Sequence, residues 1–415
     1  MKNVMKWFTE KFAPALMKVT DHPLISSISQ GFIIAVPLIL VGTFAMIATL
    51  LKEYIPFIPD LTPVQNFSFG LMGLFVVFAI AYTYTERKNP NGPKIEAGFV
   101  AIGGYLMLSK GIFNADTWNF EIVLDRLGAA GVFLSVVVGL FTGVVISFFA
   151  NRNLFNKKGV FPDFIVNWFN TLASGTVILV LSWLVTYPLG FDMYALVENL
   201  FSPLVNLGQS YAGFVLIWGI SILLYAFGLS AWTLWSIIGP ITLAGIAENA
   251  DLVAKGLAPV NINTQEVGMA FIWLGGMGMT LMLNVMMLRS KSKRLKTLGQ
   301  TTMLPSIMNI NEPLVFGVPI AFNPLLMIPF IINGFLIPLI VYPVLNSGLV
   351  NIPAFPFYVW FAPIGFTTFI VTQDWMSIPF LAILLAITWF VYWPFFKAYE
   401  KQELQKEAVN ESASE

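Results

Sequence analysis

The chain has 415 residues, of which 57% are hydrophobic and only 11% charged, against roughly 25% charged in an ordinary soluble domain; a water-soluble fold of this length could not hide so much apolar surface. Lysine plus arginine and aspartate plus glutamate both total 22, so net charge points to no nucleic-acid partner. Cysteine is absent and histidine occurs once, which excludes disulfides, thiolate chemistry and a credible transition-metal ligand set. No glycine-rich loop followed by Lys-Ser/Thr is present, so ATP hydrolysis by that route is not expected, and no residue pattern calls for a cofactor.

Apolar stretches near 20 residues recur along the chain, the length of helix that a bilayer core of about 30 Å requires. The fold class expected is therefore an all-α integral membrane protein. The start carries Lys2, Lys6, Lys11 and Lys18 among apolar residues. It lacks the compact apolar core of a secretory signal and reads as a retained helix lying in the interface, within residues 1–25. Spans are expected at 31–52, 68–85, 97–109, 129–150, 173–190, 211–228, 231–247, 268–288, 322–345 and 378–396, ten in all. The stretch 161–172 reads as a second interfacial helix or as the beginning of the next span. The tail, 398–415, reads as a charged helix end followed by disorder.

Placement of the cations supports that count. With both termini cytoplasmic, the inside segments hold 18 of the 22 basic residues, leaving Lys52, Lys110, Arg126 and Lys255 outside, as the positive-inside rule demands. The basic run 289–296 reads as a topology anchor, with a docking surface for a cytosolic partner as the functional alternative.

Two stretches, 297–320 and 353–375, are expected to be re-entrant hairpins. Pro305, Pro313, Gly317, Pro319 and Pro324 punctuate the first, and Pro353, Pro356, Pro363 and Gly365 the second; no continuous helix tolerates that density at about 3 kcal/mol per interior proline. Broken backbone at membrane depth survives only where protein or a watery cavity satisfies it, and in transporters it marks binding sites.

From 297 to 396 only Glu312 and Asp374 carry charge near neutral pH. A carboxylate at membrane depth is costly unless paired or hydrated, so Glu312 reads first as functional, whereas Asp374, close to a membrane edge, reads at least as readily as a cap of the next helix. A structural lock is the competing reading for Glu312. Around Glu312 the chain reads NINEPLVFGVPIAFNP over 309–324. Asn309 and Asn311 supply donors and acceptors, Glu312 accepts, and Phe316 offers an apolar face. That mixture suits a sugar, which presents hydroxyls on its rim and an apolar ring face. Trp232 and Trp235 are further aromatic candidates. His22, at the end of the first helix, reads as a solvated or packing residue.

The segment NINEPLVFGVPIAFNP resembles the signature of the sugar-specific membrane subunits, enzyme IIC, of bacterial phosphotransferase systems in the lactose, cellobiose and diacetylchitobiose family. DHPLISSISQGFIIAVPLILVGTF over 21–44 and TTFIVTQDW over 367–375 are similar to the family as well, so the resemblance covers nearly the whole chain. It implies ten spans and two re-entrant hairpins. It also implies an N-terminal membrane half, 26–210, that forms a homodimer in the cell membrane, and a C-terminal half, 211–397, that binds the sugar. Group translocation follows from it: an oligosaccharide, with a β-linked disaccharide such as cellobiose or diacetylchitobiose preferred, moves inward. Its 6-hydroxyl is then phosphorylated by a separate IIB protein, itself served by IIA. The donor in that IIB is a cysteine, which this chain lacks, so whether the chain is itself an enzyme stays open. Glu312 matches the family motif and is the expected catalytic acceptor for the reacting hydroxyl. One departure concerns a Phe-Gly-Ile-His-Gly segment common in the family, which here reads Phe227-Gly228-Leu229-Ser230-Ala231. Ser230, the expected sugar contact there, supplies neither charge nor ring nitrogen. Two rival functions remain from the residues alone: an ion- or proton-coupled secondary sugar transporter, and a sugar-sensing membrane protein.

Overall fold

The computed structural model describes residues 13–52, 55, 57–114, 116–152, 162–228, 232–318, 320 and 323–414. Among them the fold is helical apart from one antiparallel hairpin, β1 (Ile112–Asn114) with β2 (Asn119–Glu121), in which Phe113 faces Phe120. Helices dominate because lipid offers no partner for a free N–H or C=O. The same constraint governs the hydroxyls. Ser27 donates to Pro23 O, Thr43 to Ile39 O, Ser174 to Asn170 O and Ser182 to Ile178 O, each one turn back, so these polar side chains are satisfied inside their own helices.

The chain divides into two compact units. One comprises Met17–Val205 and Trp235–Ala244; the other comprises Asn206–Leu234 and Gly245–Glu415, with the described residues before Met17. In the first, the end of α1 (Ala13–Thr20), from Met17 onward, leads into α2 (Pro23–Leu51). The short α3 (Thr62–Asn66) precedes α4 (Met72–Lys88), α5 (Lys94–Leu108), α6 (Val132–Arg152) and α7 (Asp163–Thr186). Small and branched residues, among them Val77, Ala81, Ala97, Ala101, Val138 and Ile178, build its core around the buried ring of Tyr105. The Tyr105 hydroxyl lies 2.5 Å from Arg126 O and 3.2 Å from Gly131 O, tying the loop after the hairpin to α5. Beyond it Asp192 takes a two-pronged pair from Arg126, at 3.2 and 3.0 Å, and a third contact from Lys110 at 3.2 Å.

Next come α8 (Met193–Gln209), α9 (Tyr211–Ala226), whose first turn Ser210 caps by accepting from Gly213 N, and α10 (Trp232–Ala254). They are followed by α11 (Leu281–Leu288), α12 (Lys293–Ile307), α13 (Glu312–Gly317), α14 (Pro324–Asn346), α15 (Phe366–Thr372) and α16 (Ser377–Ser414).

Among the described residues six helices are long and apolar enough to cross a bilayer: Pro23–Thr49, Thr62–Lys88, Ala129–Arg152, Ile165–Thr186, Pro324–Asn346 and Ser377–Val409. Met193–Gln209 and Tyr211–Ala226, broken at Ser210, make a seventh if taken together. Four of the ten expected spans are not among those six helices. The stretch 211–228 lies in the 16-residue α9. The stretch 97–109 lies in α5, which has only 15 residues, and 231–247 lies in α10, a continuous helix of 23 residues that carries Pro240 within it and ends in a polar turn. The stretch 268–288 is a wide turn at Gly268–Ile272, a glycine-rich loop and the eight residues of α11. Of the stretch 161–172, residues from 163 onward belong to α7 and so begin the next span.

The expected disorder of the tail is corrected: α16 continues as helix to Ser414. Its carboxylates are occupied by the turn before α12, which gives the last turns a surface to lie on. Of the expected N-terminal helix, residues 1–12 lie outside the described residues.

Candidate functional site

Proline and glycine end the helices around Glu312, and asparagines rebuild what they break. After the wide turn the chain runs Trp273-Leu274-Gly275-Gly276-Met277-Gly278-Met279-Thr280. Gly275, Gly276 and Gly278 have φ of 84°, 90° and 78°, a region side chains rarely enter. A Cβ on Gly276 would lie 2.4 Å from Asn311 Cγ, and one on Gly278 would lie 2.1 Å from the Phe330 ring. The loop is thus shaped for contact with the 309–324 segment.

Asn311 and Asn309, expected to meet a sugar, are both buried and face this loop. Asn311 Nδ2 donates to Met277 O at 2.6 Å and to Thr280 Oγ1 at 3.0 Å, and Thr280 Oγ1 donates to Gly275 O at 2.6 Å. Gly275 N donates to Asn309 Oδ1 at 3.3 Å, and Tyr392 Oη donates to Gly278 O at 2.6 Å. Asn309 takes φ 58° at the break between α12 and α13, a conformation asparagine tolerates better than most residues. Its Nδ2 has no hydrogen-bond partner among the described residues, and neither does Trp273 Nε1.

Glu312 opens α13, with Pro313 behind it in the first helical turn. Its side chain is exposed and, among the described residues, makes no hydrogen bond or ion pair. Phe316, one turn on along the same face, is 65% exposed. Tyr225, at the end of α9, interacts electrostatically with Glu312. Its hydroxyl has no partner among the described residues, and its ring stacks on Phe330 at 6.1 Å. The glycine loop thus touches both Asn311, the residue before Glu312, and Phe330, the ring on which Tyr225 stacks.

The second proline-rich segment is laced to the first and to the wide turn. Ile364 N donates to Ile307 O at 3.0 Å, Thr368 Oγ1 to Ala270 O at 2.9 Å, and Phe357 N to Glu266 Oε1 at 2.9 Å. Glu266 is 1% exposed. It did not emerge from the sequence reading, although a lone acid in the apolar run 262–288 is the same signal that singles out Glu312. Asp374 accepts from Asn351 N at 3.1 Å and from Met376 N at 2.9 Å, so both its oxygens hold backbone at the entry to α16. Ser230 lies outside the described residues, as does the side chain of Trp232, whose backbone begins α10. Trp235 is buried and belongs to the other unit.

A model of the family described as phosphotransferase system, EIIC, matches residues 29–334, well over half of the chain. The chain belongs to the phosphotransferase system EIIC family. This EIIC chain is 28% identical over 435 residues to the lichenan permease IIC component of Bacillus subtilis (strain 168), covering 98% of this chain and 96% of that one. It is 26% identical to the PTS system cellobiose-specific EIIC component of Geobacillus stearothermophilus, covering 100% and 98%. Its fold is similar to the crystal structure of the transporter ChbC, the IIC component from the N,N'-diacetylchitobiose-specific phosphotransferase system. That likeness has a TM-score of 0.85 at 24% identity and covers 97% of this chain and 99% of that one. This EIIC chain is thus a multi-pass membrane sugar permease of the lactose, cellobiose and chitobiose group, and an EIIC component works on a sugar with IIB and IIA partners.

Proposed function

We propose that this EIIC chain carries a β-linked disaccharide, such as cellobiose or diacetylchitobiose, inward across the cell membrane and presents its 6-hydroxyl to a phosphorylated IIB protein. The observation that carries this reading is Glu312, an exposed carboxylate at the head of a short helix that has no partner among the described residues, with Phe316 one turn along and an electrostatic interaction with Tyr225, whose hydroxyl likewise has no partner among the described residues. The names of the relatives support the β linkage: lichenan, cellobiose and oligo-beta-mannoside share it.

In the reaction, the sugar oxygen attacks phosphorus on the partner's phosphocysteine, the O–P bond forms, the S–P bond breaks, and the sulfur leaves as thiolate. Glu312 accepts the hydrogen bond of the attacking hydroxyl and helps remove its proton. Phosphoryl transfer depends mainly on orientation and charge, and Asn309 and Asn311 serve that need by fixing the backbone on either side of the break. Asn309 Nδ2 is left to meet a hydroxyl, Ser230 contributes a second hydroxyl contact, and Asp374 holds the backbone at the entry to the last helix. The distribution of basic residues supports two cytoplasmic termini, and we place the first unit at the interface of a homodimer.

Uptake of labelled saccharides into vesicles holding the purified chain, with IIA, IIB and a phosphoryl donor inside, tests the proposal. A phosphorylated β-linked disaccharide is the expected product. Accumulation of unmodified sugar driven by an ion gradient, or binding without uptake, would overturn it.

A further inference from the structure

The last helix reaches back to the site through one arginine. Three carboxylates on α16 grip the turn ahead of α12. Glu400 Oε1 accepts from Ser290 Oγ at 2.7 Å and Lys291 N at 2.9 Å. Glu407 accepts from Ser292 Oγ at 2.8 Å, Arg294 N at 2.9 Å and Lys293 N at 3.3 Å. It thereby satisfies N–H groups that a helix start leaves open and sits where the helix dipole favours an anion. Between them Glu403, 3% exposed, pairs with Arg294 and Lys406.

The guanidinium of Arg294 has a second engagement. Its Nη2 donates to Gly317 O at 3.3 Å. Gly317 ends α13, the six-residue helix that Glu312 begins, and its carbonyl is one that a helix end leaves without an internal partner. A helix this short does not hold its own shape in water or at an interface. Asn311 ties down its front end, and Arg294 is the cation at its back end, where the dipole favours one.

We propose that Arg294 is a positioning residue: braced by Glu403, it fixes the C-terminal end of α13 and thereby the direction in which Glu312 and Phe316 point. The tail helix is on this view part of the site's frame. Lysine cannot replace it, because a compact ammonium does not span two acceptors as the planar fork does. The functional arm of this proposal rests on the reading of Glu312 as the sugar contact; the structural arm does not.

The absence of cysteine allows a clean test on the full chain. A nitroxide attached in Phe316→Cys reports the mobility of α13, and one in the exposed Leu349→Cys serves as a control. Arg294→Gln, Arg294→Lys and Glu403→Gln should each shift the label at 316 toward its mobile form, about tenfold in the equilibrium for a lost charge-assisted bond, and leave the label at 349 unchanged. The exchange Arg294→Glu with Glu403→Arg separates positioning from simple pairing. It restores an ion pair, but a carboxylate at 294 cannot donate to Gly317 O, so the label should stay mobile. An unchanged spectrum at 316 in the single variants, or full rescue by the exchange, would overturn the proposal. Unlabelled Glu312→Gln is assayed in parallel with cellobiose. If it transports normally, the reading of Glu312 fails while the mobility result for Arg294 stands on its own.

Discussion

The side-chain amide of Gln209 pairs with both backbone groups of Asn263, accepting its N–H at 2.8 Å and donating to its C=O at 3.0 Å. A carboxamide has the shape of a peptide unit, so one side chain does the work of a neighbouring strand. Asn263 completes the clasp, donating to Gly208 O at 2.8 Å and accepting from Trp218 Nε1 at 3.1 Å. The extended run 257–263, which is not part of any β-ladder, is thereby satisfied and held where α8 meets α9. Asn249 serves the same run from α10, accepting from Val260 N and Asn261 N and donating to Asn261 O and Pro353 O.

Gln209→Leu should therefore destabilise more than its volume suggests. It strips both groups of a fully buried residue, and each buried group left without a partner costs about 1–3 kcal/mol. Gln209→Glu keeps the acceptor and loses the donor, so it should fall between the two. Thermal midpoints in detergent rank the three chains; a Leu variant as stable as the parent would show that water replaces the amide.

Gly276→Ala should be harmful for two separable reasons: φ of 90°, and a Cβ 2.4 Å from Asn311 Cγ. Backbone strain of this kind costs about 1–3 kcal/mol. Asn311→Ala removes the two closest obstructing atoms, Cγ and Oδ1, but leaves its Cβ at 2.7 Å and the backbone strain, so the double variant should lose less than the sum of the two single losses. Strict additivity in the unfolding free energies would mean that the loop and Asn311 do not meet as described.

Asp192 predicts an acid-sensitive part of the stability. Its partial burial pushes the carboxyl up, but Arg126, Ala195 N–H and Lys110 outweigh that and hold it below the usual carboxylate range. A group whose folded pKa lies below its unfolded value, about 3.9 for aspartate, stabilises above that value and ceases to as pH falls through the folded one. The midpoint should begin to drop as pH falls toward about 4, the unfolded value, and go on dropping until the folded carboxyl is protonated, and Asp192→Asn should start lower and flatten that limb. An equally steep acid limb in the variant would assign the drop to other carboxylates.

Glu312→Gln keeps shape and hydrogen-bond reach but loses charge. Phosphorylated product should fall by about 10²-fold or more, the scale of a general base, with binding of the same sugar weakened far less. Equal losses in both would make Glu312 a binding group alone.

Much of this was legible in the sequence because membrane burial writes itself in long apolar runs and in isolated charges. Glu312 and the proline breaks around it stood out for that reason. What Asn309 and Asn311 hold was not legible: their partners lie 31 to 34 residues earlier, in a stretch whose hydropathy reads as a span. The motif Gly-Gly-Met-Gly inside that stretch was the available warning, since three glycines so close cost a helix about 1 kcal/mol each. The tail misled for the opposite reason. Glu400, Glu403 and Glu407 look like a solvated charged face, and the turn they hold lies 109 to 115 residues away. Arg294 sits in a basic run whose sequence suggests only orientation of the chain, whereas its guanidinium joins Glu403 of α16 to Gly317 of α13.

The last helix has a consequence of scale. Its 38 residues extend about 57 Å at 1.5 Å per residue, against about 30 Å of hydrocarbon, so a helix standing along the bilayer normal would leave about 27 Å of rod clear of the lipid tails. Anything joined at that end rides on a stiff boom and not on a tether. Its height above the bilayer is then counted in helical turns, and one residue more or less swings it by about 100° around the axis.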